Sequence, residues 1–71
     1  MDITRSKSIR EEDQVEFVDL NGNFCIITVL NEHPKGTLWF TVEDDHQMCL
    51  TRQQVTDLLP ILQKFAETGD L

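Results

Sequence analysis

Tyrosine is absent from this chain, serine occurs only at Ser6 and Ser8, and there are just three glycines. Each shortage closes off a class of function. Neither GxGxxG nor GxxxxGK[ST] is present, so no glycine-rich loop cradles a nucleotide phosphate. Both serines lie in a charged opening stretch, and His33 and His46 fall in turns, so a Ser-His-Asp arrangement on a rigid scaffold is not expected. A 71-residue domain also has little room for an enzyme-sized pocket. The expectation is a protein without catalytic residues or a cofactor.

The two cysteines lack CxxC spacing and sit within apolar runs. Cys25 and Cys49 therefore read as buried reduced thiols, or as one disulfide if their strands are neighbours. No run approaches the roughly 20 apolar residues of a membrane span, and the N-terminal stretch lacks the apolar core of a signal peptide. A reducing, cytoplasmic setting is the expectation.

What is abundant is acid. Formal net charge is −7. Residues 1–10 carry three bases (Arg5, Lys7, Arg10) against one acid, whereas residues 11–71 carry twelve acids against three bases. The apolar segments of the body contain no Lys or Arg. Nucleic-acid affinity rests largely on Lys and Arg neutralising phosphates, so this balance disfavours nucleic acid and favours a basic protein partner or plain solubility. The run Glu43, Asp44, Asp45 is the candidate partner-binding patch. With His46 it also suggests a hard-metal or zinc site, but ligands from one short turn seldom converge without others from elsewhere, and no metal is expected.

Periodicity places the elements. Residues 1–13, MDITRSKSIREED, lack apolar periodicity and read as a mobile basic/polar arm, of which residues 1–10 are expected to be removable without loss of the fold. Residues 14–71 read as one domain. VEFVDL (15–20), FCIITVL (24–30), TLWFTVE (37–43) and QMCL (47–50) are strand-like. Asn21-Gly22 is a strong hairpin signal, and Pro34 and Gly36 within NEHPKG (31–36) break the chain before the third strand. Thr51 and Gln54 form a capping box for a helix over 52–68 that ends at Gly69. Pro60 predicts a kink there, or a break at 59/60. The stripe Val55, Leu58, Leu59, Leu62, Phe65 and Ala66 faces the sheet. The expected fold class is α+β: a four-stranded antiparallel meander followed by one C-terminal helix, kinked near Pro60, on one sheet face.

One helix covers one face. Strand 24–30 is apolar on both sides, which is how a strand covered on both faces reads. Cys25, Ile27 and Val29, with Trp39 next door, are therefore expected on the uncovered face as an interface with a second copy, giving a dimer or higher oligomer. Whether Phe17 or Val18 joins them depends on the register at Asn21-Gly22, which stays open.

The order of elements and the stretch CLTRQQV resemble the positive-cofactor-four type of single-stranded nucleic-acid-binding domain, through Leu50, Thr51 and Gln54. That resemblance implies a ββββα fold, dimerisation and nucleic-acid binding through Trp39, Phe40 and the arm's Arg5, Lys7 and Arg10. The tail LTRQQVTDLLPILQKFAETGDL resembles small uncharacterised phage and prophage proteins. Such a likeness implies a non-enzymatic regulator or inhibitor of a host protein, in some cases by imitating nucleic-acid charge.

Overall fold

In the computed structural model of the chain, which describes residues 1–30 and 36–71, four strands precede one helix: β1 (Thr4–Lys7), β2 (Asp13–Val18), β3 (Phe24–Val29), β4 (Leu38–Val42) and α1 (Arg52–Thr68). The strands form one antiparallel sheet in the order β1-β2-β3-β4, a meander. The expected α+β class, with its antiparallel meander and C-terminal helix, is the observed one. The turn expected over 31–36, with His33 and Pro34, lies outside the described residues apart from Gly36.

One of the four strands differs in identity from the expectation: a strand from the supposed arm takes the place of QMCL in the sheet. The supposed arm supplies β1, which pairs with β2 from Thr4↔Glu16 to Lys7↔Asp13. A strand at a sheet edge needs backbone pairing more than apolar content, and polar alternation suits an edge that faces water. The turn before β2 is built by Ser8. Its hydroxyl accepts from the Arg10 N–H at 3.2 Å and the Glu12 N–H at 3.1 Å, and donates to Glu12 Oε1 at 3.1 Å. Glu11 takes a left-handed φ of 64° to close it. Truncation of residues 1–10 would thus remove an entire strand rather than a loose tail.

Conversely, QMCL is not a strand of the sheet. The Leu20 N–H donates to the Cys49 carbonyl at 2.8 Å, but the Cys49 N–H donates to the Asp19 carboxylate at 3.0 Å. A side chain takes the place of the backbone acceptor that a ladder would need.

The helix begins and ends where the caps place it. Thr51 Oγ1 accepts from the Gln54 N–H at 3.1 Å, and Gln54 Oε1 accepts from the Thr51 N–H at 2.9 Å. Gly69, at φ 79°, caps the far end with its N–H on the Phe65 carbonyl. The helix is continuous from Arg52 to Thr68 with Pro60 inside it, so the break at 59/60 does not occur. Pro60 and Thr56 are both exposed, which leaves the Thr56 carbonyl that Pro60 cannot satisfy open to water.

The core consists of Val15, Phe17, Cys25, Ile27, Leu58 and Leu71, with Val29, Leu38, Val42, Met48, Leu50, Ile61, Leu62 and Phe65 among the half-buried residues packed on it. The helix therefore presents Leu58, Ile61, Leu62 and Phe65 to the sheet, whereas Val55, Leu59 and Ala66 are exposed. The stripe was placed too far round by one flank, because Leu59 and Ile61 are both apolar and lie on opposite sides of Leu58.

This difference is measurable. Leu58 is 2% exposed and Leu59 is 53% exposed. Leu58→Ala is expected to cost roughly 2–5 kcal/mol, and Leu59→Ala about 0.5 kcal/mol or less in the dilute monomer. Denaturant midpoints of the two variants check the helix phase, and equal losses would contradict it.

Candidate interaction surface

Register decides which side chains share a face. Phe17 pairs with Cys25 and Val15 with Ile27, while Val18 pairs with Phe24. Across the next ladder Cys25 pairs with Val42, Ile27 with Phe40 and Val29 with Leu38. Directly paired residues point to the same side. The side under the helix thus holds Val15, Phe17, Cys25, Ile27, Val29, Leu38, Phe40 and Val42. The other side holds Val18, Phe24, Ile26, Thr28, Trp39 and Thr41. Phe17 belongs to the covered face and Val18 to the open one.

The interface expected from Cys25, Ile27, Val29 and Trp39 is therefore corrected. Cys25 and Ile27 are fully buried beneath the helix within one chain, and Val29 packs on the same core. Trp39 lies on the opposite face. The alternation in each strand was legible, but both faces of β3 are apolar. The choice of which one the helix covers was therefore not.

The register is held by Asp19, which is 4% exposed. Its carboxylate accepts from the N–H groups of Asn21 and Asn23, each at 2.9 Å, from the Cys49 N–H at 3.0 Å, and from Asn23 Nδ2 at 3.4 Å. The Asp19 N–H donates to the Asn23 carbonyl at 3.0 Å, and Gly22, at φ 82°, lets its own N–H reach the Asp19 carbonyl. One buried carboxylate closes the β2–β3 loop and fastens the segment that leads into α1. The Cys49 N–H above all, with those of Asn23 and Asn21, holds its pKa below the ordinary carboxylate value against the opposing effect of burial. Burial, with the Asp19 charge as a second cause, raises the Cys25 thiol. Both cysteines are free.

The open face combines a polar track with an aromatic one. Gln14 Nε2 donates to Ser6 Oγ at 3.0 Å and Thr28 Oγ1 donates to Gln14 Oε1 at 3.3 Å, linking three strands. Beside this track Trp39 is 58% exposed, Val18 50% and Phe24 41%. The acidic turn Glu43–Asp45 borders the same face. Glu43 Oε1 accepts from the Phe24 N–H at 2.8 Å, all three acids are exposed, and His46 Nδ1 lies 2.8 Å from Asn23 Oδ1. Among the described residues no three His, Cys, Asp or Glu side chains are arranged to hold a metal ion, and no helix is long and apolar enough to cross a membrane.

The residues expected to serve nucleic acid do not gather. Trp39 and Phe40 point to opposite faces. Arg5 pairs with Val15 and so lies on the helix side, and Lys7 is in an ion pair with Asp13. Arg10 lines a cavity of about 280 Å³ with Trp39, Thr28, Thr41 and Glu12, so an acid accompanies the base that shares this cavity with the indole. A cavity of about 560 Å³ lies between the start of α1 and β2, with Glu16, Phe17, Val18, Thr51, Gln54 and Asp57 in its wall. Its wall brings together carboxylates, amides and the Thr51 hydroxyl, and the N-terminal amine of Met1, also in the wall, is ion-paired with Asp57 at 2.9 Å.

Compared with known proteins, the chain matches no protein-family model, no curated protein and no solved structure.

The Asp19 pKa makes a pH prediction. Its folded value lies below the unfolded one, so its contribution to stability is present above the ordinary carboxylate value of about 3.9 and lost as pH falls through the lower folded value. Asp19→Asn is expected to lower the denaturant midpoint at pH 7, with the gap from the parent narrowing at pH 3. A gap that stays constant would show that the carboxylate charge does not hold the loop.

Proposed function

We propose that the chain is a non-enzymatic, cytoplasmic protein-interaction module: a self-pairing regulator or inhibitor of phage type that meets a basic site on a host protein. The observation that carries this reading is the sheet face opposite the helix, with exposed Val18, Phe24 and Trp39 and the acidic turn Glu43–Asp45 at its border. Aromatic side chains at the centre of a desolvated patch supply most of the binding energy at protein interfaces, and rim charges steer approach and select the partner. Net charge of −7 directs that selection toward a basic surface. Separation of Arg5 and Lys7 from the indole, together with the acidic balance, speaks against a nucleic-acid strand as the ligand.

The test is affinity capture from an extract of the encoding host, with the parent chain, Trp39→Glu, and Glu43→Gln/Asp44→Asn/Asp45→Asn compared. A basic protein retained by the parent, released by raised salt and lost with both variants is the expected outcome. Retention unaffected by either variant, or salt-sensitive binding of a single-stranded oligonucleotide at comparable affinity, contradicts the reading.

A further inference from the structure

The two edges of the sheet are built differently. β1 carries Arg5 and Lys7 along its four residues, and charged side chains on an edge strand discourage pairing with another chain. β4 is LWFTV, with no charge, proline or glycine. It is also exposed on both sides: Trp39 on the open face and Phe40, 50% exposed, on the helix side. An unguarded apolar edge strand is a template for strand addition.

The hydrogen-bond phase shows what that template offers. The Leu30 N–H donates to the Thr37 carbonyl, and antiparallel ladders alternate bonded and non-bonded pairs. Thr28↔Trp39 and Ile26↔Thr41 are thus the pairs that exchange bonds within the sheet. The N–H and C=O groups of Leu38, Phe40 and Val42 point away from β3, and no strand among the described residues lies beyond them. Three residues spaced by two, centred on Phe40, form a self-complementary set.

The helix adds to this edge. At about 100° per residue, Gln53, Asp57 and Lys64 fall on one flank and Val55, Leu59 and Ala66 on the other. The first flank faces β1, since Gln53 and Asp57 line a cavity with Thr4 and Lys64 lines one with Arg5 and Ser6. Val55 and Leu59, both exposed, therefore flank the β4 side.

We propose that two copies pair antiparallel along β4 about a two-fold axis at Phe40, joining two four-stranded sheets into one with both helices on the same face. Phe40 exchanges both backbone bonds with its symmetry mate, Leu38 does so with Val42 of the partner subunit, and Val55 and Leu59 face the partner's helix. A second copy fits better than a foreign strand because the same short segment supplies both halves of the pairing and the helix flank that covers it. This rests on the self-pairing in the proposed function and assigns its surface, leaving the Trp39 face free for the host protein.

The test combines mass by sedimentation over a hundredfold dilution with residue-resolved amide hydrogen exchange. Expected are a dimer in which the Leu38, Phe40 and Val42 amides are protected and lose protection on dilution, while Trp39 and Thr41 stay protected throughout. Phe40→Pro removes an outward N–H together with a half-exposed ring, and is expected to halve the mass while the helix signal and cooperative melting persist. A dimer whose Leu38, Phe40 and Val42 amides exchange freely, or a folded Phe40→Pro dimer, overturns the β4 pairing and leaves self-pairing to another surface. A monomer at every concentration overturns self-pairing itself, whereas host-protein capture is decided separately. If Phe40→Pro does not fold, exchange in the parent chain decides.

Discussion

The buried carboxylate of Asp19 is the constraint on which the rest of the arrangement depends. It binds three backbone N–H groups from two segments 26 or more positions apart, those of Asn21 and Asn23 and that of Cys49. Charge-assisted bonds of this kind are stronger than neutral ones, and a buried carboxylate needs them. By closing the loop after Val18, Asp19 sets the pairing Phe17↔Cys25. By holding Cys49, it delivers Thr51 to the sheet end where Gln54 Nε2 donates to the Val18 carbonyl at 3.2 Å. From there the helix descends over the side bearing Val15, Phe17, Cys25 and Ile27.

What is proposed about function follows from the apolar surface left uncovered, on the open face and at the β4 edge. Once Cys25 and Ile27 are beneath the helix, the exposed apolar residues include Val18, Phe24 and Trp39 on the open face, and Phe40, Val55 and Leu59 beside the β4 edge. These are two surfaces, separated by the thickness of the sheet. A chain this small can therefore present one to a copy of itself and the other to a partner, with the acids of Glu43–Asp45 next to the second.

Much of the fold was legible because its signals are local. The capping box at Thr51 and Gln54, the glycine at 69 and the apolar spacing between them define α1 without reference to the rest of the chain. The meander was legible from its turns. What stayed hidden was set by long-range bonds. TRSK carries no apolar alternation, and only the Ser8 hydroxyl turn and pairing to β2 make it a strand. QMCL looks like a strand but finds a carboxylate where a backbone acceptor was expected. The candidate surface failed for a related reason: β3 is apolar on both sides, and the covered side is set by contacts made far along the chain, those of Asp19 with Cys49 and of Leu58 with the core. An Asp placed before Asn-Gly-Asn, able to cap several N–H groups of its own loop, was the available signal.

The helix-covered face is the claim from which the others descend, and a map of proton–proton contacts between side chains by nuclear Overhauser spectroscopy tests it most directly. The Leu58 and Leu71 methyl groups are predicted to show contacts with Val15, Phe17 and Ile27, while the Trp39 indole shows none with α1 of its own chain. Contacts from Leu58 to Ile26 or to the Trp39 indole would contradict the account, because they would place the helix on the face described here as open.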